Sequence, residues 1–122
     1  MPNAQMNVGK VGSSTKVDQW HFDSINFVGV VILSDIEDMV GGELEVLRCP
    51  RNISENRLLE KNFEKNEKDK LTVSYKSKGY CIAVQGSELC HHVTPVTKAK
   101  EDRISFIISF HPANPYHKGN TI

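Results

Sequence analysis

The apolar residues of this chain fall in short, separated runs rather than in helical stripes. Residues 25–33 (INFVGVVIL) form a β-branched stretch of the kind that fills a buried strand. Residues 43–48 (ELEVLR) alternate polar and apolar side chains, as a strand with one buried face does. Residues 71–75, 80–85, 89–96 and 103–110 repeat that texture, and 17–23 reads as a first short strand. Turn chemistry separates the runs, in the acidic stretch 34–38 and at Gly41-Gly42. About seven short strands with at most one helix predict an all-β sandwich or barrel.

Three segments stand apart from that pattern. Residues 1–16 are small, polar and Gly/Ser-rich and read as a disordered tail, so the folded core is expected over 17–112. Pro112 and Pro115 end regular structure, leaving 113–122 as a C-terminal tail. Residues 49–70 are densely charged, with Leu58, Leu59 and Phe63 as apolar anchors. Leu59 and Phe63 lie four apart, so this insertion is either a solvated loop or a short surface helix.

Composition narrows the function classes. Lys+Arg and Asp+Glu both number 15, so the net charge is zero with neutral histidines. That balance argues against a broad nucleic-acid or anionic-membrane surface, which needs an excess of cations. No run approaches the roughly 20 apolar residues that span a bilayer. The first residues lack the apolar segment of a secretory signal. Three cysteines (Cys49, Cys81, Cys90), odd in number and without CxxC spacing, fit reduced thiols in a cytoplasmic or nuclear protein.

The candidate chemistry lies in three places. His21-Phe22-Asp23 puts an imidazole and a carboxylate on one face of an extended chain, with Phe22 on the other. Such an N/O pair suits a borderline divalent metal, although alone it is as readily a surface hydrogen-bonded pair. Cys90-His91-His92-Val93-Thr94-Pro95-Val96 follows some distance on. Arg103 then heads an apolar strand, where a buried guanidinium calls for a carboxylate gripped bidentately. The bland reading of Arg103 is a rim ion pair with Glu101 or Asp102.

WHFD, GGEL, HHVTPV and RISF, in that order, resemble the Fe(II)- and 2-oxoglutarate-dependent oxygenase superfamily, nearest its prolyl-hydroxylase-like branch. The resemblance implies a double-stranded β-helix, or jelly-roll, shortened at its N-terminus. It implies His21, Asp23 and His91 as the metal ligands; H-x-V spacing favours His91 over His92, which then faces outward. It assigns Arg103 and Ser105 to the far carboxylate of 2-oxoglutarate, and residues 41–44 to the mouth of the site. O2 is the expected co-substrate, with ascorbate as a candidate auxiliary. The implied reaction is hydroxylation of a small, amino-acid-like molecule with release of succinate and CO2. Asp23 favours hydroxylation, since halogenating relatives lack that carboxylate. The twelve residues from His91 to Arg103 exceed the family's usual spacing. A shortened front end would leave a sheet edge open to a second copy of the chain. Rival readings are a non-catalytic jelly-roll binding module and a cupin-like metalloprotein without 2-oxoglutarate. Trp20 is expected to pack beside the site.

Overall fold

A computed structural model describes residues 4–12, 19–60, 63 and 68–110. It is mostly β, with two antiparallel sheets and one short helix. The strands are β1 (Ala4–Gly9), β2 (Phe27–Ile32), β3 (Leu44–Leu47), β4 (Lys70–Val73), β5 (Cys81–Val84), β6 (His91–Val93) and β7 (Arg103–Phe110), with α1 (Arg51–Arg57) between β3 and β4. The first sheet runs β1-β7-β2-β5 and the second β4-β3-β6. Every neighbouring pair is antiparallel. Sequential strands therefore alternate between sheets over much of the chain, and their inner faces enclose one core.

That core follows from the two-residue period of each strand. Val28 and Val84 of the first sheet meet Leu44 and Val46 of the second, with Val93 and Ile107 packed around them. Val30, Ile32 and Tyr75 continue it towards one end. A separate cluster of Leu47, Phe63 and Cys90, with Trp20, Phe22 and Leu58, lies on the outer side of the second sheet. Gly41 and Gly42 (φ 85° and 74°) bring the chain into β3. A Cβ on Gly41 would overlap the carbonyl of Pro95, so backbone meets backbone where the GGEL segment passes the end of β6.

Four expectations change. Residues 4–9 are not a loose tail but β1, paired in register with β7 from Ala4↔Ile108 to Gly9↔Arg103. A first strand thus precedes the HxD motif. The 17–23 run gives only an isolated bridge, His21↔His91, and residues 17 and 18 lie outside the described set. The 89–96 strand contracts to β6, because Thr94 and Val96 turn their carbonyls to Gly42 and Gly12. Phe63 is helical but its neighbours lie outside the described set, and the helix that is described sits earlier, at 51–57. It starts at Pro50 and is tied at its end by Arg57 to Asp69 (2.7 Å). Leu59 is largely exposed while Phe63 is buried. Expectations for residues 111–122, including the tail and both prolines, fall outside the described residues. No described helix is long and apolar enough to cross a membrane.

Ile32 is fully buried between Val30 and Tyr75. Ile32→Ala should lower unfolding free energy by about 3 kcal/mol, read from the denaturant midpoint at unchanged slope.

Candidate metal centre

The centre is assembled by backbone pairing. His21 N donates to His91 O (3.0 Å) and His91 N to His21 O (3.1 Å). Residues that exchange both bonds across an antiparallel pair carry their side chains on the same face. The imidazoles therefore stand side by side, ring centroids 4.5 Å apart. Two residues on, the extended chain returns the Asp23 side chain to that face. Asp23 Oδ1 lies 3.3 Å from His21 Nε2, and Oδ2 lies 3.3 Å from His91 Nε2. One ligand atom from each residue lies within 4.8 Å of the others, a group that can hold a metal ion.

The electrostatics ask for a cation there. Nδ1 of His21 faces the Gln19 carbonyl at 2.5 Å, and Nδ1 of His91 faces the Leu89 carbonyl at 2.7 Å. A carbonyl only accepts, so each Nδ1 carries a proton and donates, leaving Nε2 as the variable atom. In a neutral ring that Nε2 holds a lone pair aimed at the Asp23 carboxylate, which also only accepts. The gap is satisfied by imidazolium protons or by a metal ion. Hydrogen bonds from His21 and then His91 outweigh partial burial and hold the Asp23 carboxyl well below the usual carboxylate range. The acid is ionised at neutral pH, as a ligand must be.

Neighbouring segments fix Asp23 from both sides. Its N–H donates to Gly86 O (2.9 Å), and a Cβ on Gly86 would fall within the Asp23 carboxylate. Arg51 of α1 lays its guanidinium over the Phe22 ring (4.4 Å) and donates from Nη1 to Ser87 O (2.8 Å). The helix thereby fastens the residue before Asp23 to the turn that abuts it. Sequence reading missed both devices. Gly86 lies in a Gln-Gly-Ser turn whose glycine is unremarkable until the chain folds, and Arg51 sits in a run that reads as solvated charge.

His91 and His92 face opposite ways. His91 joins the triad, whereas His92 points to the outer side of the second sheet. It is nonetheless buried, donating from Nε2 to Glu45 (2.7 Å) beneath the Trp20 ring at 4.1 Å. Burial works against the charge on Glu45, but His92 and Lys70 hydrogen bonds prevail and pull its carboxyl below its ordinary value. Trp20 packs here against His92 and Phe63, behind the strand that carries His91. Of the cysteines, Cys90 is buried and Cys81 is exposed on the first sheet.

Arg103 and Ser105 occupy the start of β7, both buried. Arg103 donates from Nε to Gly42 O (3.0 Å) and from Nη1 to Ser105 Oγ (3.2 Å). The rim acids point elsewhere: Asp102 accepts from Val11 N and Glu101 from Asp35 N. Tyr75, also missed in the sequence, sets its ring 5.4 Å from the Arg103 guanidinium. Burial pushes its phenol up to about 12, against the pull of Arg103. One cavity of about 510 Å³ is lined by His21, Asp23 and His91 together with Arg103 and Ser105. Its remaining wall is mainly apolar, from Val28, Leu44, Val84 and Ile107 among others, with Gln5 and Asn7 of β1 adding amides.

Two outcomes are expected. Gly86→Ala should weaken divalent-metal binding by about 10–100-fold in titration calorimetry, with the far-UV spectrum retained. Metal uptake should compete with protons for the ligand atoms, as binding to imidazole and carboxylate groups does in general. Affinity then rises with pH, and the apparent binding enthalpy shifts with the ionisation enthalpy of the buffer.

A scan against protein-family models finds no match to this sequence, and a comparison with curated proteins finds none either.

Proposed function

We propose that this protein is an Fe(II)- and 2-oxoglutarate-dependent dioxygenase that hydroxylates a small molecule. The observation that carries the reading is the shared cavity: a His-Asp-His triad and a buried Arg-Ser pair line one pocket. Two imidazoles and a carboxylate suit a divalent transition ion and cover one side of its coordination sphere. A buried guanidinium beside a hydroxyl suits the carboxylate at the far end of a dicarboxylic acid. Three of the four motifs that resemble the oxygenase superfamily supply these same five side chains, and the fourth, GGEL, supplies the Gly42 carbonyl that accepts from Arg103.

The strand order supports the jelly-roll form of the fold. The first sheet holds four strands, and the His21↔His91 bridge extends the three-stranded sheet by a fourth, minimal one. Eight antiparallel segments in two facing sheets is the arrangement that the resemblance implies.

Fe(II) with 2-oxoglutarate and O2 would supply oxidation of a substrate C–H bond to C–OH, coupled to conversion of 2-oxoglutarate into succinate and CO2. The chain's own contribution is placement. His21 and His91 present Nε2, their Nδ1 protons held by backbone carbonyls, and Asp23 presents its ionised carboxylate. Arg103 and Ser105 bind the distal carboxylate, and Tyr75 adds a neutral hydroxyl beside the guanidinium. Val28, Val84 and Leu44 exclude water from the interior wall. His21, the most exposed of the triad, marks the side by which a substrate approaches.

Anaerobic addition of Fe(II) and 2-oxoglutarate should produce the visible absorption band of the chelate. His21→Ala should abolish the band. Arg103→Lys, which keeps the charge but loses the fork, should weaken 2-oxoglutarate binding by about 10–100-fold, the worth of a charge-assisted hydrogen-bond pair. Succinate release under air then reports turnover. Metal uptake without the band points to a cupin-like metalloprotein, and no uptake points to a binding module; either result overturns the reading.

A further inference from the structure

The two sheets differ in what covers their outer faces. On the second sheet, the outward Leu47 and His92 lie beneath Trp20 and Phe63, with Leu58 beyond α1 beside them. On the first sheet, Arg103, Ser105 and Ile107 of β7 point into the cavity, so Ile104, Phe106, Ile108 and Phe110 point outward. The register sets Val8 and Met6 of β1 opposite Ile104 and Phe106. On the other side, Val31, Gly29 and Phe27 of β2 stand opposite Phe106, Ile108 and Phe110. Cys81 and Ala83 of β5 complete the row. Every outward strand position on this face is apolar, across all four strands.

The face is also open among the described residues. Met6, Val8, Phe27 and Phe110 retain 58%, 48%, 50% and 52% of their surface. By the ordinary size of these four side chains they alone expose roughly 400 Å², the size of a functional patch on a monomer's surface.

We propose that this face is the contact surface for a second copy of this chain, the two first sheets packing against each other about a twofold axis. Two features select that occupant. A pleated, uncharged sheet is complementary to itself, which an isologous dimer requires. Its strand positions carry no Lys or Arg to hold anionic headgroups, so a membrane surface fits poorly. The contact is a face, not the open edge that the sequence suggested, and it stands apart from the oxygenase reading because the metal ligands point the other way.

The test is mass in solution as a function of concentration. Light scattering at tens of micromolar should give twice the 13.7 kDa chain mass. Met6→Lys combined with Phe27→Glu should restore the single mass while leaving the far-UV spectrum and metal uptake intact. Leu71→Lys, on the exposed part of the second sheet, should leave the doubled mass unchanged. The wild-type chain supplies an independent readout: alkylation of Cys81 should slow as concentration rises, whereas labelling under denaturing conditions should not. A single mass for the wild-type chain overturns the proposal, as does a doubled mass in the Met6/Phe27 variant. Cys81 unreactive at every dilution also overturns it, since the face is then covered by the chain's own residues 111–122.

Discussion

The reciprocal backbone pair between His21 and His91 is the constraint on which the centre depends. Seventy residues separate the two positions, and nothing local brings them together. Once β6 is seated against β3, however, its free edge offers one N–H and one carbonyl at His91, and His21 takes both. Side-chain placement then follows from pleat geometry alone: opposite residues share a face, and the residue two further along rejoins it. The triad is therefore not held by a specialised loop. It is a by-product of strand pairing, so the energy that orders the sheets also orders the ligands.

Much of this was readable beforehand, for a stated reason. The two-residue period tells which side chains travel together, so His21 with Asp23 could be paired from spacing, whereas Ser105 was joined to Arg103 by the family resemblance. The strands 27–32 and 44–47 announced themselves because each buries a conventional apolar face, and 70–73, 81–84 and 103–110 because β-branched or aromatic residues recur in them. β1 did not, and its chemistry explains why. Its inward residues, Gln5 and Asn7, face a cavity rather than the core, while its apolar residues, Met6 and Val8, face outward. Judged by the usual rule of apolar inside, such a segment looks like a tail. Tyr75 and Gly86 were hidden for another reason: their importance is a matter of which distant atoms they touch, and no local pattern encodes that.

Strands β6 and β7 each divide two environments. In β6 one histidine faces the triad, and its neighbour closes a hydrogen bond with Glu45 under an indole. The second histidine is thus no idle surface residue; it anchors from behind the strand whose front carries a ligand. In β7 the inward positions bear a cation and a hydroxyl, and the outward ones are aliphatic or aromatic. Alternation lets one short segment serve as the polar floor of a chamber and as part of an apolar exterior without compromise between them.

The contact between Asp23 and Gly86 fixes the length of the acidic side chain. Main chain stands where a wall would otherwise be formed by movable side groups, and main chain does not yield. A glutamate at position 23 would carry one more methylene into that wall, or swing its oxygens away from both imidazoles. The choice between the two acidic amino acids is made here by clearance rather than by charge or basicity, in which they are nearly equal.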